Sequence, residues 1–326
     1  MAGIFTISLD YELHWGVFDK RDREARKTCY EHTIKLVPQL LQAFEAYKVQ
    51  VTWATVGAMF AEDEASFWQY APEKKPAYLQ EKFNAYHWVK ENGIQQKDTG
   101  AHFAKDSILL IENFEGQELA THTYAHFYCL EPGQTVAEFA ADLNAVQAIA
   151  LDTVGKKMTS LVFPRNQFND DYLAACYQAG ITIIRSNPNT WYWTGIANDE
   201  TSLQRKIFRT GDTYLPIGNH TYSLNKVVAQ NNLPICLPAS RLLREYDAKY
   251  NFLNVLRLKR VLAEMTYAAK EGKCYHLWWH PENFGTNPTE SMKDVMVILQ
   301  HFKWLKAKYG MVSYNMKEMA KIINKK

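Results

Sequence analysis

Residues 4–16 have the sequence IFTISLDYELHWG. The apolar run at residues 4–9 predicts a strand buried on both faces, as strands of a parallel sheet usually are. Asp10 and Glu12 come where this strand should end, and His14 follows them, although buried acids contribute nothing to packing. In barrels and open α/β sheets, active sites form at the C-terminal ends of the strands. The segment therefore predicts an active site, provided that other strand ends supply matching side chains.

The composition is that of an ordinary globular protein. The chain has 326 residues, of which 47% are hydrophobic and 22% are charged, and its net charge is +2. This near balance argues against a nucleic-acid-binding protein, which needs a clustered basic face. The chain has five cysteines. Because this number is odd and no two of them form a Cys-x-x-Cys pair, we expect the thiols to be reduced. No segment resembles a secretion signal or a membrane span, so we expect a cytoplasmic protein without an integral membrane segment.

Strand-like and helix-like stretches alternate along the chain, which predicts parallel βαβ units. We predict strands at residues 4–9, 49–55, 117–121, 160–163, 181–184, 235–237, 274–279 and 311–314. We predict helices at residues 29–47, 136–153, 170–179, 253–270 and 291–309. Two stretches fit the alternation poorly: 61–114, which is helical in character, and 187–232, which is mostly irregular. We expect both to be insertions over the catalytic face of a single domain spanning residues 1–326.

A pair of histidines follows the third predicted strand, in the sequence ELATHTYAH at residues 118–126. If the chain turns helical after Thr121, His122 and His126 share a face and reach one ion. Imidazole nitrogens bind divalent metals at about 2.0–2.1 Å, and a carboxylate as third ligand leaves positions open for water. The alternative is that two packed or exposed histidines happen to lie four residues apart.

Two further strand ends carry charged side chains. The sequence VFPRNQF at residues 162–168 places Arg165 after a strand, where it could hold a carboxylate through two hydrogen bonds. A surface salt bridge is an equally good interpretation of this arginine. In YHLWWHPENFG, residues 275–285, His276 and His280 face the same side, and only His280 ends the strand. A histidine there can act as a general acid near neutral pH.

Taken together, these segments resemble the ordered motifs of the polysaccharide deacetylase superfamily (NodB homology, carbohydrate esterase family 4). DYE at residues 10–12 resembles the first motif in its Asp-x-Asp/Glu form, and VTWATVG at residues 51–57 resembles the strand that follows. HTYAH matches the His-Ser/Thr-x-x-His motif and is the most specific match. Pro164 with Arg165, and His280 with Pro281, resemble the arginine and final histidine motifs. The resemblance runs from about residue 4 to residue 284 and implies a distorted (β/α)7, TIM-like barrel with a metal at its C-terminal mouth.

The resemblance also implies a metal-dependent carbohydrate N-deacetylase, a hydrolase of C–N bonds other than peptide bonds. Its metal, with Zn²⁺ favoured, would be held by Glu12, His122 and His126. Its catalytic residues would be Asp10 as general base, Arg165 orienting that base, and His280 as general acid. Whether Asp10 or Glu12 binds the metal, and whether His276 or His280 is the acid, stays open. The substrate would be an N-acetylated sugar or glycan precursor, with nucleotide- and lipid-linked forms among the candidates.

The sequence departs from the family pattern around the arginine. The usual Arg-x-Pro-Tyr-Gly order is replaced by PRNQ at residues 164–167, and the acidic motif that supports the arginine has no clear counterpart. Asp212 or a group near residues 185–187 is the candidate substitute. Trp15, His14 and Trp278 adjoin the motifs and are candidates for lining a sugar site, although Trp278 could instead pack against a helix.

Other functions fit the same residues. A glycosidase on this barrel would use Asp10 and Glu12 as its carboxylate pair. A hydrolase of another C–N bond and a non-catalytic carbohydrate-binding relative are further alternatives, because a fold alone fixes no function. Dependence on a metal would separate the deacetylase from the glycosidase. The sequence predicts no oligomeric state.

Overall fold

The computed structural model describes residues 2–94, 100–197 and 202–325. Its strands are β1 (Ile4–Tyr11), β2 (Val51–Thr55), β3 (Gln117–Thr121), β4 (Ser160–Val162), β5 (Ile183–Ser186), β6 (Ile235–Pro238), β7 (Arg241–Leu242), β8 (Cys274–Trp279) and β9 (Val312–Ser313). Its α-helices are α1 (Lys27–Tyr47), α2 (Glu64–Tyr70), α3 (Ala85–Asn92), α4 (Lys105–Asn113), α5 (Val136–Val154), α6 (Asp170–Gln178), α7 (Leu203–Tyr214), α8 (Asn251–Glu271), α9 (Pro281–Phe284), α10 (Pro288–Tyr309) and α11 (Met316–Asn324).

The strands form one curled sheet in the order β6-β5-β4-β3-β2-β1-β8-β7, with β9 beside β1. The paired strands are parallel, as the βαβ alternation predicts. The short link between β6 and β7 joins the two ends of this order. The N–H of Ala239 donates to the carbonyl of Ser186, and the N–H of Ser240 donates to the carbonyl of His276, each at 2.8 Å. This curled parallel sheet with surrounding helices confirms the predicted barrel-like α/β fold.

β1 lies between β2 and β8, and all eight of its residues are buried. Because strand side chains alternate between the two faces, its residues divide into two sets. Phe5, Ile7 and Leu9 belong to the main hydrophobic core, whereas Ile4 belongs to a second, smaller apolar cluster. Asp10 has the same parity as Ile4. Asp10 therefore lies on the inner face of the sheet, at the C-terminal end of the strand.

The long helices lie where the apolar periodicity predicts them, with ends displaced by at most three residues. Gly180 and Gly310 follow α6 and α10 with φ of +85° and +70°, a conformation that glycine adopts without steric cost. The segment 61–114 contains three helices, α2, α3 and α4, in agreement with its predicted helical character. The described part of the segment 187–232 is mostly irregular, as predicted, and contains the twelve-residue helix α7. In the described part of the chain, no helix combines the length and hydropathy that crossing a membrane requires.

Candidate active site

Glu12, His122 and His126 meet at the C-terminal ends of β1 and β3. The Nε2 atoms of His122 and His126 lie 3.1 and 2.9 Å from Oε2 of Glu12. All three side chains are buried, and their ligand atoms all lie within 4.8 Å of one another. The ends of the two parallel strands thus bring Glu12 together with His122 and His126, which lie 110 and 114 positions further along the sequence.

The segment that carries the two histidines is a loop, so the predicted helical turn after Thr121 is wrong. Thr123 and His126 have φ of +65° and +57°, which a helix does not allow. The carboxylate of Asp142 on α5 accepts hydrogen bonds from the N–H groups of Tyr124 at 2.6 Å and Ala125 at 3.4 Å. This buried acid takes the place of the missing helical hydrogen bonds. The imidazoles converge because the loop turns, and not because they share a helix face.

The hydrogen bonds of His122 turn its Nε2 toward the cluster. Its Nδ1 lies 2.8 Å from the carbonyl oxygen of Val162, which can only accept, so Nδ1 is the donor of this hydrogen bond. Nε2 therefore points at Oε2 of Glu12, in the position of a metal-binding nitrogen. Burial opposes ionisation of Glu12, but His280 and His126 hold the pKa of this carboxyl well below its usual range. A carboxylate and two imidazoles around one point fit a divalent cation such as Zn²⁺.

Arg185 binds Asp10. Its Nη1 and Nη2 donate to the two carboxylate oxygens of Asp10 at 2.6 and 2.7 Å, and Nη2 also donates to Asn166 Oδ1 at 3.0 Å. The guanidinium lies over the ring of Trp278, with 4.2 Å from Cζ to the ring centroid. Burial opposes ionisation of Asp10, but the charge and hydrogen bonds of Arg185 lower its pKa below the usual value. Asp10 is therefore an oriented carboxylate at neutral pH.

Arg165 does not have the partner that the sequence predicts. It binds Asp19 at 2.5 Å and Glu131 at 3.5 Å, and its Cζ lies 3.9 Å from the ring centroid of Tyr128. Arg165 follows β4 in a turn with φ of +53°, which directs its side chain toward the cavity rim. Arg185 lies within β5, and its guanidinium reaches Asp10 instead. The assignment of Arg165 as the residue that orients Asp10 is therefore wrong.

The predicted acidic support for the arginine also differs. Asp212 is on α7, where its carboxylate binds His220 at 2.9 Å and Arg260 at 3.2 Å, away from the Asp10 cluster. The other candidate region, residues 185–187, supplies the arginine itself and no acid. The acids that hold Arg165 are Asp19 and Glu131, which no predicted strand end identified.

The structure separates the two candidate acids, His276 and His280. His276 is fully buried, with Nε2 2.9 Å from Ser8 Oγ and Nδ1 3.2 Å from the carbonyl of Pro238. Burial and the charge of Arg185 lower the pKa of His276 to about 3, so this ring is uncharged near neutral pH. His280 lines the cavity, and its Nε2 lies 3.7 Å from both Asp10 Oδ2 and Glu12 Oε1. Of the two rings, only that of His280 can reach a bound substrate.

A cavity of about 510 Å³ opens over these groups. The segment 187–232 contributes Trp193, Lys206 and Arg209 to its wall, and Trp278 also lines it. None of the described residues of 61–114 lines this cavity, although the sequence predicts that segment over the catalytic face. The ring centroid of Phe83 of that segment nevertheless lies 5.2 Å from Cζ of Arg165, which does line the cavity, so the position of the segment over the catalytic face stays a prediction.

Trp15 and His14 do not line the cavity either. Trp15 is fully buried, donates from Nε1 to the carbonyl of His102 at 2.9 Å, and stacks on Phe67. His14 is fully buried with its Nδ1 2.9 Å from the Tyr30 hydroxyl. Both side chains point away from the cavity because the chain forms a short 3₁₀ turn directly after Glu12.

Two further residues at the site were not predicted. Gly16 lines the cavity, and a Cβ at this position would overlap the Glu12 carboxylate. Glu282 is buried against the same cavity, and its burial together with the charges of Glu12 and Asp10 raises its pKa well above the usual value. Both lie next to predicted motifs, but only the three-dimensional packing reveals the close approach to Glu12.

Comparisons with known proteins agree with this geometry. A family model described as polysaccharide deacetylase matches residues 28–184. The fold is similar to that of a protein from Mycobacterium smegmatis assigned as a polysaccharide deacetylase, with 12% identity, a TM-score of 0.61, and coverage of 99% of this chain and 90% of that one. Residues 28–184, just under half of the chain, thus match the polysaccharide deacetylase family.

Two other solved structures are similar to this chain in fold. One, from Pseudomonas aeruginosa PAO1, is also assigned as a polysaccharide deacetylase, with 10% identity, a TM-score of 0.57, and coverage of 99% and 91% of the two chains. The other is a Puue allantoinase, with 9% identity, a TM-score of 0.55, and coverage of 98% and 89%. At such identities the likeness concerns the fold alone. No curated protein sequence matches the chain significantly.

The residues matched by the deacetylase family model include only part of the site. His122, His126 and Arg165 lie inside the matched range, whereas Asp10 and His280 lie outside it. The contacts described above place these last two residues beside the histidine pair. The family match and the geometry thus point to the same cluster through different residues.

Proposed function

We propose that the protein is a metal-dependent hydrolase that removes the N-acetyl group from an amino sugar or a glycan precursor. The observation that carries this proposal is the buried cluster of one carboxylate and two imidazoles beside an aspartate held by arginine. Its position at the strand ends, in a chain that matches the polysaccharide deacetylase family, supports the same chemistry.

Glu12, His122 and His126 would hold the metal. When bound there, a divalent cation supplies a Lewis acid for the acetamide carbonyl and lowers the pKa of water toward about 7. The carboxylate and the two imidazoles contribute one negative charge in total, so a divalent cation retains net positive charge. We propose Zn²⁺ as the resident metal because this ligand set is typical of catalytic zinc.

Asp10 would accept the proton of the attacking water. Its pKa below the usual range keeps it ionised at neutral pH, and Arg185 holds both of its oxygens in one orientation. A base that is fixed before the substrate binds loses no entropy when it reacts, which favours proton transfer. Arg185 is thus a positioning residue, and Asp10 is the residue that receives the proton.

His280 would donate a proton to the departing sugar nitrogen. An amide nitrogen leaves poorly unless it is protonated, so the reaction needs an acid on the cavity wall. The ring of His280 is partly exposed to the cavity and lies 3.7 Å from Asp10. This short separation allows the proton accepted by Asp10 to return to the substrate through His280. The products are acetate and an amino sugar.

The proposal is tested by acetate release from a panel of N-acetylated sugars, sugar phosphates and oligosaccharides. We expect release from at least one of them, its loss on treatment with a chelator, and its return when Zn²⁺ is added. The absence of acetate from every member of the panel would count against a deacetylase. A chelator-resistant release of reducing sugar without acetate would instead identify a glycosidase.

A further inference from the structure

One wall of the cavity carries two cations, Lys206 and Arg209, for which the described part of the chain offers no carboxylate partner. Lys206 and Arg209 both line the cavity and lie three residues apart on α7, so they share one face of that helix. Within the described ranges 2–94, 100–197 and 202–325, no carboxylate lies within 4.0 Å of either side chain. Among the described residues, none therefore supplies a carboxylate to neutralise the positive charge that this pair brings to the cavity.

Arg209 is held in place by neutral groups. Its guanidinium donates from Nε to the carbonyl of Tyr192 and from Nη2 to the carbonyl of Thr194, and it lies 5.3 Å from the ring centroid of Trp193. Carbonyl groups and a ring face orient the guanidinium but leave its full charge. Burial and the charge of Arg205 lower the pKa of Arg209, so the position is electrostatically unfavourable for a cation.

The other arginines at the cavity are different. Arg185 is paired with Asp10, and Arg165 is paired with Asp19 and Glu131, so the protein neutralises both of these side chains. The pair on α7 differs from both of these arginines, because the described residues offer it no carboxylate. An anionic ligand in the cavity would supply this counter-charge.

We propose that Lys206 and Arg209 bind a phosphate group that is covalently attached to the N-acylated sugar. This inference rests on the proposed function and specifies the substrate class as a sugar phosphate or a diphosphate-linked sugar. A phosphate monoester carries about −1.5 to −2 charges at neutral pH, which matches the two cations. A guanidinium fork and an ammonium group are the side chains that bind phosphate oxygens in proteins. The wall would therefore hold the phosphate while the acetamide lies at the metal cluster.

The test measures the binding of inorganic phosphate and of N-acetylglucosamine 1-phosphate to the full-length, zinc-loaded protein by calorimetry. In the double variant Lys206→Gln/Arg209→Gln, we expect the Kd for both probes to rise at least about 10-fold, as lost charge-assisted hydrogen bonds imply. The matched control, Lys303→Gln/Lys306→Gln, removes two exposed cations with the same spacing on α10 and should change neither Kd more than twofold. Equal affinities in the two double variants would overturn the proposal. Any binding of phosphate at the metal is common to both variants and cancels in this comparison.

Acetate release separates this inference from the proposed function. If neutral N-acetylglucosamine oligomers are deacetylated equally well by the wild type and by Lys206→Gln/Arg209→Gln, and sugar phosphates gain nothing, the phosphate site is wrong and the deacetylase stands. If no probe releases acetate, the deacetylase is wrong, whereas the difference in phosphate affinity still reports on the α7 wall. Comparing UDP-N-acetylglucosamine with a short-chain polyprenyl diphosphate N-acetylglucosamine then distinguishes a nucleotide source of the phosphate from a lipid source.

Discussion

Asp10 and Glu12 show how two acids of one segment acquire different partners. Both side chains turn to the inner side of the sheet, as alternation along a strand predicts, whereas Tyr11 packs in the main core. Asp10 then meets an arginine, and Glu12 meets two histidines. The sequence places both acids at the site, but only their partners distinguish a base from a metal ligand.

The partner of Asp10 predicts a shift in the pH dependence of activity. In Arg185→Met, the largest charge that opposes the effect of burial is lost, so the pKa of Asp10 rises. Asp10 is then protonated up to a higher pH, and the acidic limb of the kcat/KM profile moves to higher pH. Arg165→Met removes an arginine that lines the cavity without touching Asp10 and should leave that limb in place. An unmoved limb in Arg185→Met would contradict the role of Arg185.

Gly16 predicts a specific loss of metal affinity. In Gly16→Ala, the added Cβ overlaps the Glu12 carboxylate, which must move away from the histidines. We expect Zn²⁺ affinity to fall by about 10–100-fold, the range found when support for a metal ligand is lost. Gly155→Ala is the control, because its φ of +72° strains the substitution without any contact near the site. Gly155→Ala should lower the melting temperature and leave Zn²⁺ binding unchanged. Equal zinc affinities in Gly16→Ala and Gly155→Ala would count against Glu12 as a metal ligand.

At the scale of elements, the histidine loop depends on α5. Asp142 accepts two backbone hydrogen bonds from this loop and one from the Tyr86 hydroxyl. Asp142→Ala leaves these buried donors without an acceptor, and we expect a loss of about 1–3 kcal/mol in the free energy of unfolding. Chemical denaturation at pH 7 measures this loss. A variant as stable as the wild type would show that the loop does not need the acid.

Asp142 also makes the free energy of unfolding depend on pH. Burial raises its pKa to about 7 in the folded protein from 3.8 in the unfolded chain. Between these two values the folded state binds more protons, so this contribution to stability falls as pH rises from about 4 to about 7. Asp142→Asn cannot ionise and should gain stability relative to the wild type between pH 5 and pH 8. A pH-independent difference between the two proteins would contradict the raised pKa.

Helices and strands with a clear apolar period could be predicted from the sequence, and two features could not. α7 escaped prediction because its apolar residues Leu203 and Ile207 remain exposed, so no buried face marks the helix. The loop at residues 122–126 has helical spacing, but a buried acid 16 positions further along replaces helical hydrogen bonds. In both cases the deciding contact comes from a distant part of the chain.

At the scale of the whole molecule, the predicted strand ends indicated which residues lie near one another, but not which of them form ion pairs. The sequence contains one arginine directly after β4 and another near the C-terminal end of the adjacent strand β5, and nothing local shows which one reaches Asp10. The curl of the sheet and the backbone at Arg165 decide this. The link between β6 and β7 could not be predicted for a similar reason, because β6 pairs with β5 whereas β7 pairs with β8.

The metal cluster joins distant parts of the chain and should therefore stabilise the whole fold. Its ligands come from the ends of β1 and β3, so a cation that binds only the folded state raises the melting temperature by mass action. We expect saturating Zn²⁺ to raise the melting temperature of the wild type and to leave that of His126→Ala unchanged. Equal shifts in the two proteins would show that zinc binds elsewhere.

The most direct test of the central claim is one experiment on purified Asp10→Asn, in which bound zinc and acetate release are measured on the same sample. The account predicts one equivalent of zinc, as in the wild type, because Asp10 is not a ligand. It also predicts a fall in kcat of at least about 100-fold, because the base is lost. Near-normal turnover on a substrate of the wild type, or loss of the zinc itself, would contradict the division of roles between Asp10 and Glu12.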